Sequence, residues 1–147
     1  MQDRFKFRIF DKEQKKIVTT PRHFNFGIVN GTVVLLESCP TVAGFYNKRI
    51  AKEYDDVILM QCTGIKDKNG KLIYEGDIIA DVVSGCVAII EYLHSSYSFM
   101  AHIRRMDEFV SIEDICFVDK EGTPFEVVGN IYENPELLEI NNEEINN

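Results

Sequence analysis

A serine or cysteine nucleophile needs a histidine to take its proton and a third group to orient the ring. The chain offers only His23, His94 and His102 for that work. His94 and His102 stand eight residues apart across Ser95 and Ser96, with Cys86 upstream, and this spacing does not pair a nucleophile with a base. Two carboxylate pairs, Glu75 with Asp77 and Glu113 with Asp114, have the groups for acid–base exchange. Each pair, however, lies where a turn or a helix cap asks for a carboxylate on backbone grounds. Cys39, Cys62, Cys86 and Cys116 are widely separated among apolar neighbours. Zinc sites usually bring two ligands within a few residues of each other, so buried, reduced thiols are expected. Gly64, Gly70 and Gly76 recur every six residues. They lie between strand-like runs and not between a strand and a helix, so they serve turns and do not cradle a phosphate. The expectation is no catalytic residue, no cofactor and no metal.

The elements that would position any such group read as β throughout. Asp67-Lys68-Asn69-Gly70 sets residues that tolerate positive φ between two apolar runs, Val57 to Gln61 and Ile73 to Val83, which predicts a hairpin. Phe5 to Phe10 alternates apolar and basic residues, and Ile17 to Thr20 returns β-branched ones after a polar turn, so residues 4–20 form a second hairpin ended by Pro21. Phe24 to Phe26 and Gly27 to Leu36 give further strands around an Asn30-Gly31 turn. From Ser38 to Asp56 the signal weakens, and Asn47 to Tyr54 reads as one or two helical turns or a loop. Val87 to Leu93 and Phe99 to Arg104 are strands; Ser111 caps a short helix, and Asn134-Pro135-Glu136 starts another. The Glu75-Gly76-Asp77 break before an apolar strand is how a small SH3-like barrel begins. Asp119-Lys120-Glu121-Gly122 followed by Gly129-Asn130-Ile131 echoes Asp67 to Gly70 followed by Gly76-Asp77-Ile78, which convergent turn chemistry explains more simply than duplication.

Three segments carry a signal beyond local structure: Phe7-Arg8-Ile9-Phe10-Asp11-Lys12, Leu59 through Ile79, and Phe125-Glu126-Val127-Val128-Gly129-Asn130-Ile131-Tyr132-Glu133-Asn134-Pro135-Glu136-Leu137-Leu138. Together they bracket nearly the whole chain and closely resemble the YopX family of phage and prophage proteins. Phe10 stands where that pattern usually has Trp, and Cys62 where Tyr is frequent. The family carries no established activity, so the resemblance implies a fold and a genetic setting. Turn, cap and packing needs account for most matching positions, including the glycines, Asp67, Asn69, Asp77, Asn130, Asn134 and Pro135. Tyr74 and Glu75 are not required by any turn. With Tyr132 and Glu133, which the repeated pattern places similarly, they form the expected interaction surface.

Composition admits one compact globular chain: 147 residues, 45% hydrophobic, net charge −8. Five Glu and no Lys or Arg follow from Glu133 onward, leaving −3 over residues 1–132, whereas residues 1–24 carry +4. A basic start and an acidic end favour head-to-tail contact between subunits. The charged N-terminus lacks a signal peptide's apolar stretch and no run reaches the roughly 20 residues of a membrane-spanning helix, so the bacterial cytoplasm and no membrane are expected. Nucleic acid is the main rival partner. Arg4, Lys6 and Arg8 share a strand face and Arg104 with Arg105 would extend it, but the net charge opposes phosphate. The reading is mainly β: an N-terminal β subdomain (1–56), a C-terminal, partly open SH3-like barrel (57–140) packed with it, and an acidic tail (141–147). The expected role is a non-enzymatic protein-interaction or self-assembly module, a homo-oligomer or the partner of a phage or host protein, with nucleic-acid binding as the alternative.

Overall fold

The Asp67–Gly70 turn forms as its residue types demand, and it organises what surrounds it. Asp67 Oδ1 accepts the N–H groups of Asn69 (2.9 Å) and Lys71 (2.8 Å), and Gly70 takes φ +80°. Asp67 Oδ2 reaches out of the turn to the N–H of Val127 at 3.0 Å, so one carboxylate closes the hairpin and fastens it to a strand 60 residues on. Asp67 is only 5% exposed. Burial pushes its pKa up, but the N–H donors of Val127, Lys71 and Asn69 and the charge of Lys71 outweigh it, and the net shift is downward from 3.8.

The computed structural model describes residues 6–18, 24–29, 32–40, 46–53, 57–81, 83–116 and 123–139, with backbone alone over 24–53. The strands are β1 (Phe7–Asp11), β2 (Lys16–Val18), β3 (Phe24–Val29), β4 (Thr32–Pro40), β5 (Tyr46–Glu53), β6 (Val57–Lys66), β7 (Leu72–Tyr74), β8 (Asp77–Asp81), β9 (Cys86–Leu93), β10 (Ser98–Ile103), β11 (Glu108–Ser111) and β12 (Glu126–Asn130). A short helix, α1 (Ile112–Cys116), and a 3₁₀ turn (Pro135–Leu138) complete them. The chain is mainly β, with one sheet curled as a half-barrel, as the strand pattern predicts. It divides into two compact units: Arg8–Leu59, and Met1–Phe7 together with Met60–Asn147.

In the first unit, β1 and β2 pair antiparallel with Ile9 opposite Val18, and Asp11 Oδ1 closes their turn by accepting from Glu13 and Gln14. The alternation expected here breaks at its end, since Ile9, Phe10 and Asp11 are all buried. β3, β4 and β5 form a three-stranded sheet. Asn30-Gly31, the turn expected between β3 and β4, lies outside the described residues. Tyr46–Glu53 is a strand and not the helical turns or loop that its local pattern suggests. Its backbone pairs with β4 from Val34 opposite Glu53 to Pro40 opposite Tyr46, and a ladder that long overrides weak helical preference.

The second unit holds a five-stranded sheet in the order β11-β10-β9-β8-β12. One face buries Ile79, Ala88, Ile90, Phe99 and Ala101, with Ile73, Ile112 and Phe125 packed onto them. Burying one such side chain fully contributes about 1.5–3 kcal/mol, which makes this row the unit's main apolar support. On the other face His102 bridges two carboxylates: Nδ1 to Glu91 Oε1 at 3.1 Å and Nε2 to Asp107 Oδ1 at 2.9 Å, with its ring stacked on Phe109 at 4.3 Å. His102→Ala removes both bridges and the stack across β9, β10 and β11, and is expected to lower stability by about 1–2 kcal/mol. Urea denaturation reads this directly; an unchanged midpoint would show that the bridges contribute nothing.

Two helix starts differ in how they are capped. Ser111 Oγ accepts the Glu113 N–H at 3.3 Å, as expected of a cap. Asn134 does not cap the 3₁₀ turn. Its Oδ1 turns back to the Asn130 N–H at 3.3 Å, because Gly129 leaves room for it: a Cβ there would lie 2.6 Å from that oxygen. Among the described residues no helix is long and apolar enough to cross a membrane.

Candidate functional site

Glu75 and Tyr132 are brought together by Gly76. The chain reverses from β7 into β8 at Glu75-Gly76, where Gly76 adopts φ +79° and gives its N–H to Ile90 O at 2.7 Å. The Gly76 carbonyl accepts the Ile131 N–H at 2.9 Å, which lays the turn after β12 against the turn before β8. With no side chain on Gly76, the Tyr132 ring comes within 3.1 Å of where a Cβ would stand. Behind this contact Asp77 and Asn130 face one another across the β8–β12 ladder, both buried. Asp77 Oδ2 takes the Tyr74 N–H (2.8 Å), and Asn130 Oδ1 takes the N–H groups of Tyr132 (3.1 Å) and Glu133 (2.9 Å). The two echoing motifs therefore meet in space as mirrored turn braces. Asp119–Gly122, the other half of the echo, lies outside the described residues.

Electrostatics single out Glu75. Burial raises its pKa above 4.5 and Glu91 adds to the rise, while a backbone hydrogen bond from Gln61 and the imidazole of His94 oppose it. Burial raises the Tyr132 phenol as well, and the charge of Glu75 adds to it. A half-buried carboxylate beside a second carboxylate and a phenol is a place where an incoming cation gains most, since it relieves desolvation and repulsion together.

A model of the YopX protein family matches residues 6–139. The chain belongs to the YopX family. No curated protein matches it. Among solved structures it is similar to protein EF1440 from Enterococcus faecalis, with 27% identity, TM-score 0.55, and coverage of 90% of this chain and 96% of that one. It is also similar in fold to protein yopX from Bacillus subtilis, with 19% identity, TM-score 0.57, and coverage of 91% and 98%.

In this YopX-family chain the expected surface residues fall into different roles. Glu75 and Tyr132 adjoin. Tyr74 is half-buried, and Glu133 supports the turn by accepting from Asn130 Nδ2 at 2.7 Å. Glu91 and His94 complete the neighbourhood of Glu75; the sequence offered His94 only as a possible base and did not single out Glu91, whose available signal was a lone charge inside the apolar run from Val87 to Leu93. Of the basic candidates, Arg4 lies outside the described residues, Lys6 is exposed with its carbonyl accepting the Cys62 N–H, and Arg8 is half-buried. Arg104 and Arg105 are exposed in the β10–β11 turn.

The groups considered for catalysis have other occupations. His102 is held by Glu91 and Asp107, and His94 lies edge-on to Tyr92 at 5.4 Å. His23 lies outside the described residues. Ser96 Oγ donates to Leu93 O and Ser98 Oγ donates to Ser96 Oγ. The Cys86 thiol is pushed up by burial and by Asp81, with Arg105 opposing, so its thiolate is disfavoured. Cys62 is a buried free thiol whose Sγ accepts from Gly64 N–H.

Proposed function

We propose that this YopX-family protein is a phage or prophage accessory factor of the bacterial cytoplasm that acts without catalysis, as a protein-interaction or self-assembly module. The observation that carries the reading is the half-buried Glu75 on the turn that the Ile131 N–H to Gly76 carbonyl bond lays against Tyr132, with burial first and Glu91 second raising its pKa. Its chemistry suits a lysine or arginine presented by a partner, with the rims of Tyr132 and Tyr74 as aromatic contacts. Nucleic-acid binding is the second reading and draws on the exposed Arg104 and Arg105.

Affinity capture of the tagged protein from a host undergoing prophage induction, with and without nuclease, separates the two. A protein partner is expected to survive nuclease, and to be lost with Glu75→Gln and with Tyr132→Ala, each weakening binding about tenfold or more. The complex is also expected to strengthen as pH rises through the Glu75 pKa, which lies above 4.5, because only the ionised carboxylate attracts the cation. Partners retained in full by both variants would refute the surface, and binding that nuclease abolishes would transfer the role to nucleic acid.

A further inference from the structure

Both ring nitrogens of His102 face acceptors. The residue stands on β10 opposite Ile89 of β9 and Phe109 of β11. Nδ1 lies 3.1 Å from Glu91 Oε1 and Nε2 lies 2.9 Å from Asp107 Oδ1. Only 13% of the side chain is exposed, and Phe109 stacks on the ring with 18° between the two planes. An ionised carboxylate only accepts hydrogen bonds, and a neutral imidazole has one N–H to give. Both contacts are therefore hydrogen bonds at the same time only when the ring holds two protons. With one proton, a nitrogen lone pair faces a carboxylate oxygen. Among the described residues, Glu91 from β9 and Asp107 from the β10–β11 turn are the charged groups bonded to the ring. Its register partners Ile89 and Phe109 are apolar, and Arg104, Arg105 and Glu108, exposed in the same hairpin, make no hydrogen bond or ion pair with it.

The two carboxylates differ in what they lose on release. The Glu91 side chain is 39% exposed and that of Asp107 is 90% exposed. Water replaces the ring easily for Asp107 and less readily for Glu91, so a neutral ring keeps its Nδ1–H on Glu91 and gives up Asp107. Asp107 is also the residue that closes the β10–β11 turn. Its φ is +53°, a left-handed conformation uncommon for a residue with a Cβ. Two backbone bonds hold the same turn, Met106 N–H to Ile103 O at 3.1 Å and Asp107 N–H to Arg104 O at 3.3 Å, and the second is longer than an ordinary N–H···O bond.

We propose that His102 is a proton-operated latch on the β10–β11 turn: with both nitrogens protonated it clamps Asp107 and fixes the turn, and on giving its Nε2 proton to water it keeps Glu91 and lets Asp107 go. The released side chain no longer holds the left-handed backbone at Asp107, so the turn becomes mobile while β9, β10 and β11 stay paired through their backbones. Arg104, Arg105 and the 64% exposed Met106 ride on that turn. Proton concentration thus sets whether these side chains are presented in one arrangement or in many, a control separate from the role assigned to Glu75.

Nuclear magnetic resonance of the full, nitrogen-labelled chain, followed over about pH 5–8, where imidazoles commonly change charge, reads ring and turn together. At the acid end both ring nitrogens of His102 are expected to carry protons. As pH rises, Nε2 should lose its proton while Nδ1 keeps its own, and the backbone amides of Arg105 to Glu108 should shift with the same midpoint. Backbone order parameters there should fall from about 0.85 to below about 0.6, with those of β9 and β10 unchanged. Asp107→Asn jams the latch without altering the ring, because its amide offers an acceptor to the charged imidazole and a donor to the neutral one. In that variant His102 should still titrate while the turn stays fixed across the range. A ring that does not change charge in this range, a proton lost from Nδ1 first, turn amides that stay still or move with a different midpoint, or a turn that still follows His102 in Asp107→Asn would each overturn the proposal.

Discussion

Asp67→Ala is expected to destabilise the protein by about 3 kcal/mol, a large share of the roughly 5–15 kcal/mol that holds a domain together. The carboxylate serves three backbone N–H groups, those of Asn69, Lys71 and Val127. Leaving a buried donor without its acceptor costs about 1–3 kcal/mol. Water reaches the exposed turn and offsets part of that for Asn69 and Lys71, but less so for Val127, which is half-buried in β12. Asp67→Asn keeps one acceptor oxygen and loses the other with the charge, so about half the effect should remain. The pH dependence has a definite sign. The folded-state pKa is lowered from 3.8, so the carboxylate's contribution is fully present above 3.8 and disappears as pH falls through the lower folded value. The stability gap between wild type and Asp67→Asn, followed by urea denaturation, should therefore narrow below that pH. A gap that is small at neutral pH, or that widens in acid, would mean the carboxylate is not what fastens the turn to β12.

Gly76→Val is expected to cost about 2–4 kcal/mol, or to prevent folding. The backbone there has φ +79°, a conformation that costs a side-chain-bearing residue on the order of 1–3 kcal/mol and a β-branched one the upper part of that range. A Cβ would also stand 2.9 Å from Met60 Cε, 3.1 Å from Tyr132 Cε2 and 3.6 Å from Ile131 Cγ1. The methionine end can swing aside. The Tyr132 ring has less freedom, because its own N–H is fixed on Asn130 and the next residue's carboxylate is bonded to the same side chain. Gly76→Ala should show the backbone term with a smaller steric one, and should additionally weaken partner capture by displacing Tyr132. Thermal unfolding of the two variants separates the terms; a Gly76→Ala protein as stable as wild type would remove the argument.

What was legible in the sequence was whatever a few adjacent residues decide. Asp67 to Gly70 dictates its turn because carboxylate, amide and glycine act within one another's reach, and β6 to β10 follow from apolar, β-branched runs between such punctuation, whereas β11 and β12 were not read as strands. The fate of Asn47 to Tyr54 was not legible, because Lys, Arg, Glu and Ala favour a helix and only the ladder with β4 makes the segment a strand. Asn134 has the residue type and position of a cap, yet the open space at Gly129 draws its side chain elsewhere, which no local pattern encodes. The site was half readable. Tyr74 and Glu75 stood out as residues without a turn duty, and Tyr132 and Glu133 through the repeated pattern, but Glu133 braces its turn through Asn130. That Glu91 and His94 act on Glu75 follows from the order of strands in the sheet, a long-range property.

The Lys6 carbonyl and the Cys62 N–H are 2.9 Å apart, and both belong to the unit that resumes at Met60. The chain thus leaves that unit and re-enters it at adjacent points, and Arg8–Leu59 is an excursion whose two feet are already clasped. Closing a loop grows costlier only logarithmically, by about 0.6 kcal/mol for each doubling of its length. Lengthening, shortening or exchanging the excursion consequently leaves the closure at its base nearly unchanged in free energy, which makes this juncture the natural place to graft a foreign module into the fold.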